Sequence, residues 1–311
     1  MASYISGLES FCIITSYIVV SLITAGVLGW IIYSKLVLRT KSLKEVLFNE
    51  DNLSIWLDAA GSFAIPILFL VSTILTPSGK FTFYSSWVDY INIILYIILY
   101  LCIFTFFRLT AELFIYYFSK FQLHEKISIN KEIYNEKNIA ASILNISISV
   151  IATNLLLNER FLVESFSTNF IRLLIILVLS MGFLSIYKSF FFPTNSSLFK
   201  ETFVDNNPCS AILFLGQAVS ASLIIDKVID FLKISYNGWL NFGYIIDFVL
   251  FTTSIYVLML LIVKVIKAIL NFVLKVNINK ELYKQNNIGY SFTESGFYVV
   301  LSLIIISTFL S

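Results

Sequence analysis

Hydrophobic and polar positions in this chain fall into long blocks instead of the short alternations of a water-soluble helix or strand. Apolar runs recur along the whole chain, each near the roughly 20 residues that a helix needs to cross hydrocarbon. They predict transmembrane helices near Phe11–Tyr33, Leu53–Thr76, Tyr90–Phe118, Ile139–Leu157, Phe170–Tyr187, Cys209–Ile225, Trp239–Val263 and Ile288–Leu310. The sixth span is short and opens at Pro208, which the first helical positions tolerate because its missing N–H has no intrahelical use there. The expected fold is an all-α integral membrane protein of eight transmembrane helices.

The polar punctuation between the runs repeats as well. Four segments align without gaps on an asparagine that opens an even-numbered span: Asn52 to Gly61, Asn138 to Ser147, Asn207 to Gly216 and Asn287 to Gly296. Two positions after the asparagine stands a small residue, Ser54, Ala140, Cys209 or Gly289. Lys-Glu pairs precede the segments, at Lys44-Glu45, Lys131-Glu132, Lys200-Glu201 and Lys280-Glu281, and Ile129–Asn138 is close to Ile278–Asn287. Ile32-Tyr33-Ser34-Lys35 likewise has a counterpart in Ile186-Tyr187-Lys188-Ser189. Asparagine is a favoured helix N-cap. The Lys-Glu stretch reads as a short interfacial helix with its charges toward water. Small residues seven apart share a helical face and let backbones approach in lipid, so the motif is read as packing before any substrate role. The chain divides into two tandem halves, 1–158 (TM1–TM4) and 159–311 (TM5–TM8), each of two helical hairpins.

Charge sets the orientation. The connections from odd to even spans hold Lys35, Arg39, Lys41 and Lys44; Lys120, Lys126, Lys131 and Lys137; Lys188 and Lys200; and Lys264, Lys267, Lys275, Lys280 and Lys284. That is fifteen of the 21 basic residues, which puts these turns in the cytoplasm and both termini outside it. The four hairpins then run in the same sense, as parallel repeats about an axis along the membrane normal. Their simplest closed arrangement is a pseudo-fourfold ring. Composition agrees: 58% of the 311 residues are hydrophobic and 13% charged, against about a quarter charged in a soluble domain. No soluble domain of useful size remains beside the spans. The net charge of +2 gives no reason to expect nucleic acid. The N-terminus lacks a basic n-region, so the first span reads as a retained helix. Cys12, Cys102 and Cys209 have no CxxC spacing and read as small packing residues.

The pattern of a charged interfacial stretch, asparagine, small residues and glycine nine later resembles the YjfL-like bacterial inner-membrane proteins, built on domain of unknown function 350. Ile32-Tyr33-Ser34-Lys35 followed by the Asn52 segment, and Phe107-Arg108-Leu109 followed by the Asn138 segment, carry the likeness, which covers most of the chain. Family members typically have two hairpins, so the resemblance implies two members fused and located in the bacterial cytoplasmic (inner) membrane. It implies no reaction. Trp56 and Tyr290 depart from the family's small residues, which makes close packing less expected in the first and fourth segments.

Ionisable residues inside spans are functional candidates by default, because burying charge in hydrocarbon costs a few kcal/mol or more. Asp58, Arg108, Glu112 and Glu294 stand out, and Asn145 aligns with Glu294 in the second segment. Gln217 lies a turn deeper in the third. Asp58 and Glu294 both sit about 10 Å into the membrane at 1.5 Å per residue, but about 100° apart around the helix. Arg108 and Glu112 are spaced as a pair whose long stems snorkel to the headgroups. The sharper alternative has Arg108 reaching across to neutralise Asp58. Asp89, Asp226 and Asp247 read as interfacial.

Catalysis has few candidates. His124, the one histidine, stands in a charged loop, so no His-based triad or metal site can be built, and neither metal nor cofactor is expected. There is no GxSxG, P-loop or GxGxxG, and Asp58 has no evident second aspartate. The Asn52-Leu53-Ser54 sequon means little at a bacterial cytoplasmic site. The chain is not expected to be an enzyme. Two functions fit the expected ring. One is a passive channel or conduit for an ion or small polar solute, lined by Asp58, Asn145 and Glu294 with Arg108 beside them. The other is a membrane scaffold or anchor whose basic loops recruit a soluble cytoplasmic partner or anionic lipid. The lipid bilayer is the one partner both require, and either is compatible with a homo-oligomer.

Overall fold

The computed structural model describes residues 2–39, 52–65, 67, 87–123, 126–158, 200–235, 242–275, 277 and 287–309. Every regular element among them is helical. Helix α1 (Ala2–Ile32) widens into a π-helical turn over Tyr33–Leu38. Helix α2 (Leu53–Ala59) does the same over Ala60–Ala64. Helix α3 (Trp87–Leu123) is followed by the short α4 (Ile129–Tyr134) and by α5 (Ile139–Asn158). After a π turn at Lys200–Val204 come α6 (Pro208–Ser235), α7 (Phe242–Leu274) and α8 (Ile288–Phe309).

Four stretches are long and apolar enough to cross a membrane: Cys12–Val37, Pro208–Ile229, Gly243–Leu274 and Ile288–Phe309. Shorter apolar helical runs cover Tyr90–Phe106 and Ile139–Val150. The expected fifth span, residues 66 and 68–76 of the second, and His124 lie outside the described residues. Two expected boundaries move. The sixth helix is not short, running on through Ser235 and carrying a buried Asp226 that had been placed at the interface. The seventh continues past Val263 to Leu274, so Lys264 and Lys267 belong to a helix and not to a connection.

All four segment asparagines are N-caps. The side-chain oxygen of Asn52 accepts from the Ser54 N–H at 3.0 Å, that of Asn138 from Ala141, that of Asn207 from Cys209 and that of Asn287 from Tyr290, each also at 3.0 Å. The other half of the amide reaches out of its own helix. Asn52 Nδ2 donates to the Ile133 and Tyr134 carbonyls at 3.3 Å, and Asn138 Nδ2 to the Thr202 carbonyl at 3.0 Å. Ile133 and Thr202 both stand five residues before their own cap asparagine. Each cap therefore fastens the interfacial turn of the segment that follows it. That turn is α4 in the second segment, with Ile129 and Ile133 buried and Lys131 exposed, and the π turn Lys200–Val204 in the third. The residue just before the cap takes a left-handed backbone in both, Lys137 at φ 53° and Asn206 at φ 47°.

The capped helices follow one another in chain order, α2 against α5, α5 against α6 and α6 against α8. The first and last contacts are alike. Ser142 Oγ donates to the Ser54 carbonyl at 2.8 Å, and the Ser291 side chain lies beside the Cys209 thiol. A Cβ on Gly61 would lie 2.8 Å from Ile146 Cβ, and one on Gly216 only 2.6 Å from Ser295 Cα. In each pair, positions two and nine of one segment meet positions four and eight of the next, so the helices run parallel. Helix α3 lies against α2's π turn and α5 as α7 lies against α6 and α8, and α1 packs on α3.

Among the described residues, α2 and α8 do not pack on each other as the consecutive pairs do. At Gly296 of the fourth segment, where close packing was less expected, an added Cβ would meet nothing within 4 Å. The expectation of loose packing in the first segment fails at Gly61, which is crowded. Gly216→Ala is therefore expected to cost about 1–3 kcal/mol through overpacking. Gly296→Ala should be neutral or slightly stabilising, since alanine outranks glycine by about 0.5–1 kcal/mol in a helix. Thermal unfolding of the two variants in detergent measures the difference.

Candidate functional site

The buried polar groups cluster where α1, α2, α3, α4 and α5 meet. Asp58, one turn into α2, is 1% exposed. Its Oδ2 accepts from the Tyr33 hydroxyl at 2.7 Å, and its Oδ1 from Ser62 Oγ at 3.3 Å and from the Asn145 side-chain amide. Asn145 Nδ2 also donates to Ser62 Oγ at 2.8 Å. Arg108 of α3 places Nη2 3.6 Å from Asp58 Oδ2, at 4% exposure. The same Nη2 donates to Asn130 Oδ1 at 2.9 Å, and Asn130 Nδ2 donates to Glu112 Oε2 at 3.1 Å and to the Val37 carbonyl at 3.0 Å. The sharper sequence reading of Arg108 is the one the geometry shows. A snorkelling Arg108–Glu112 pair would leave the guanidinium at the headgroups. Instead it is buried on the carboxylate, with Asn130 bridging it to half-buried Glu112.

Glu294 belongs elsewhere. It lies on α8, 1% exposed, with Lys267 Nζ of α7 at 2.7 Å from its Oε1 and the Tyr298 hydroxyl donating to the same oxygen at 3.2 Å. Gln217 of α6 is buried with the Tyr256 hydroxyl donating to its Oε1 at 3.1 Å. Asp58, Asn145 and Arg108 are thus brought together, while Glu294 forms a second pair with a lysine that sequence reasoning had assigned to a loop. Tyr33, Ser62, Asn130 and Lys267 were not among the candidates. Tyr33 and Asn130 did carry a signal. Both sit in motifs that recur in the second half, Ile32-Tyr33 with Ile186-Tyr187 and Ile129-Asn130-Lys131-Glu132 with Ile278-Asn279-Lys280-Glu281.

In hydrocarbon an ion pair of this kind fixes the relative rotation of its helices. Its attraction is strong, but removing one partner leaves an uncompensated charge at about 3–5 kcal/mol. Some polar atoms keep no partner in the described structure: Arg108 Nε and Nη1, Asn145 Oδ1, Gln217 Nε2 and Glu294 Oε2. One groove, lined by Arg39, Leu109, Glu112, Leu113, Tyr116 and Ser128, reaches the Glu112 end of the network. Another, lined by residues such as Leu250, Ser254 and Phe309, is apolar.

At the capped ends, Glu201 accepts from Asn207 Nδ2 at 3.1 Å and Glu132 from Asn138 Nδ2 at 3.2 Å. Burial raises both carboxyls above their ordinary value, the asparagine hydrogen bonds oppose this, and Asp205 and Glu136 respectively add to it. A carboxyl raised in the folded state binds its proton more readily folded than unfolded. Its stabilising contribution is full below the ordinary carboxyl value and is lost as pH rises through the raised one.

Two measurements check these assignments. Asp58→Leu is expected to destabilise by about 3–5 kcal/mol, and Asp58→Leu/Arg108→Met to recover most of that loss, in a double-mutant cycle of detergent unfolding. Glu201→Gln keeps the acceptor for Asn207 and removes the ionisation. Its thermal midpoint should therefore fall less than that of the unsubstituted chain as pH rises from the carboxyl range toward neutrality.

The comparison with curated proteins finds no match, and neither does the comparison with solved structures. The second half of the chain, residues 161–309, matches the model of the family described as Domain of Unknown Function (DUF350).

Proposed function

We propose that this protein is a membrane scaffold of four like units stacked side by side, and not an open conduit. The observation that carries this is the engagement of the candidate pathway groups. Asp58 is held by Tyr33, Ser62, Asn145 and Arg108, and Glu294 by Lys267 and Tyr298, in two separate buried clusters. A conduit needs its polar groups at one depth around a wet axis, whereas these groups sit inside helix contacts and hold them in register.

Further support comes from the recurring cap-to-turn hydrogen bond and the recurring crowded glycine, which fit four tandem units. The match over residues 161–309 supports one family unit in the second half, and the likeness of the two halves extends that reading to the first. The basic turns give the scaffold its working face toward a soluble partner or anionic lipid of a bacterial inner membrane. Of the fifteen lysines and arginines that set the orientation, twelve lie outside the spanning stretches Cys12–Val37 and Gly243–Leu274, which take in Lys35, Lys264 and Lys267.

The conduit reading keeps one observation, the unpartnered buried atoms of Arg108, Asn145 and Glu294, which are places for internal water. Flux assays separate the two. Proteoliposomes holding the protein should conduct protons and potassium no faster than empty ones. A flux that Asp58→Asn abolishes would overturn the scaffold.

A further inference from the structure

The groove beside Glu112 holds two opposite charges that do not neutralise each other. It encloses about 370 Å³, within the range of small-ligand clefts, about 300–1,000 Å³. Arg39 and Glu112 both line it, and no ion pair joins them.

Each charge is fixed by a contact on its own side. Arg39 ends the π turn of α1 in a left-handed backbone, φ 62°, a position that glycine fills most easily. Its Nε donates to the Leu36 carbonyl at 3.0 Å. Glu112 Oε2 accepts from Asn130 Nδ2 at 3.1 Å, and the same nitrogen donates to the Val37 carbonyl at 3.0 Å, two residues before Arg39. Asn130 therefore holds Glu112 within a helical turn of the level of Arg39. That hydrogen bond uses one carboxylate oxygen and leaves Oε1 for a donor from the groove.

The groove also stands where hydrocarbon gives way to headgroups. The apolar stretch Cys12–Val37 ends two residues before Arg39, and the run Tyr90–Phe106 ends three before Leu109. Ser128 caps the short interfacial helix α4. Leu109 and Tyr116 are seven residues apart on α3, about 10 Å at 1.5 Å per residue. Between them Leu113 is 59% exposed. At the Tyr116 end, Lys126 Nζ lies 5.2 Å from the ring centre and adds a second positive charge.

We infer that this groove binds one lipid of the phosphatidylethanolamine type, its phosphate on Arg39 and Ser128, its primary ammonium on Glu112, and the start of an acyl chain along Leu109 and Leu113. Charge complementarity selects this occupant. A phosphate without an amine would bring a negative charge beside an unneutralised Glu112. A quaternary ammonium brings the positive charge but no N–H for Oε1. Ser128 Oγ accepts from the Lys131 N–H, so its hydroxyl proton is left to donate to a phosphate oxygen. Guanidinium to phosphate and ammonium to carboxylate are both charge-assisted hydrogen bonds, roughly twice as strong as neutral ones. A free headgroup would leave Leu109 and Leu113 uncovered. The site goes beyond the scaffold reading and does not depend on it, since a lipid at the rim is compatible with a sealed bundle or an open one.

The test uses the full chain in nanodiscs of equal parts phosphatidylethanolamine, phosphatidylcholine and phosphatidylglycerol with identical acyl chains. Native mass spectrometry counts the lipids that leave the disc with each protein ion, so a loss of folded protein does not shift the readout. Phosphatidylethanolamine should be retained about tenfold over either of the others, the worth of one charge-assisted hydrogen bond. Glu112→Gln keeps an acceptor for Asn130 and should erase the preference for ethanolamine over choline. Arg39→Gln, at an exposed position, should lower retention of all three lipids. Equal retention of the three by the unsubstituted chain, or phosphatidylglycerol retained above phosphatidylethanolamine, would overturn the inference. So would an ethanolamine preference that survives Glu112→Gln. Soluble O-phosphoethanolamine that raises the thermal midpoint in detergent as far as short-chain phosphatidylethanolamine does would also overturn it, by showing a site for a free phosphate ester. None of these outcomes bears on the flux test of the scaffold.

Discussion

A single asparagine amide at the start of each capped helix meets two backbone demands that a membrane makes severe. Its oxygen satisfies an N–H that the first turn of any helix leaves over. Its nitrogen, in the first and second segments, satisfies carbonyls of the interfacial turn belonging to the next segment. Near hydrocarbon an unmet backbone group costs several kcal/mol, so the same side chain that starts one helix dictates where the following unit sits. The order of the row, its common capped end and its spacing all derive from that arrangement. The crowded contacts at Gly61 and Gly216 then bring the helices to backbone distance a little deeper in the membrane.

The buried charges act within this frame. Asp58 and Arg108 come from different hairpins, and Asn145 from the second of them, so the pair and its hydrogen bonds tie the first two units together in rotation as well as position. Lys267 and Glu294 do this between α7 and α8. Charges distributed in this way explain why ionisable residues persist in spans of a protein with no evident reaction. Each is tolerated because a partner at the same depth neutralises it, and each makes alternative helix rotations costly.

Much of this was legible in the sequence where the physics is local. The four stretches long and apolar enough to cross a membrane follow from run length, and the four caps from the chemistry of asparagine before an apolar helix. What stayed hidden depended on rotation about helix axes. Whether Arg108 points to the headgroups or to Asp58 is a matter of tens of degrees on α3, and spacing to Glu112 along one helix cannot decide it. Lys267 looked like a loop residue because lysines near a span end usually are; its pairing with Glu294 lets α7 run eleven residues further than expected, to Leu274. Tyr33 and Asn130 were visible as recurring letters, but their role needs five elements in one place. The small-residue motif marks a face that can pack and says nothing of what that face meets, which is why Gly296 and Gly216 share a motif and differ in surroundings.

The central claim is that the first and second segments, and the third and fourth, meet in one register, position two of one on position four of the next. Native Cys209 and Ser291 occupy those positions between the third and fourth segments and lie beside one another. In a chain with Cys12→Ser, Cys102→Ser and Ser291→Cys, mild oxidation in the membrane followed by peptide mass spectrometry reads the register directly. The account predicts an intramolecular disulfide between residues 209 and 291. A residue 291 thiol that stays free under conditions where it is reached by the oxidant would contradict it.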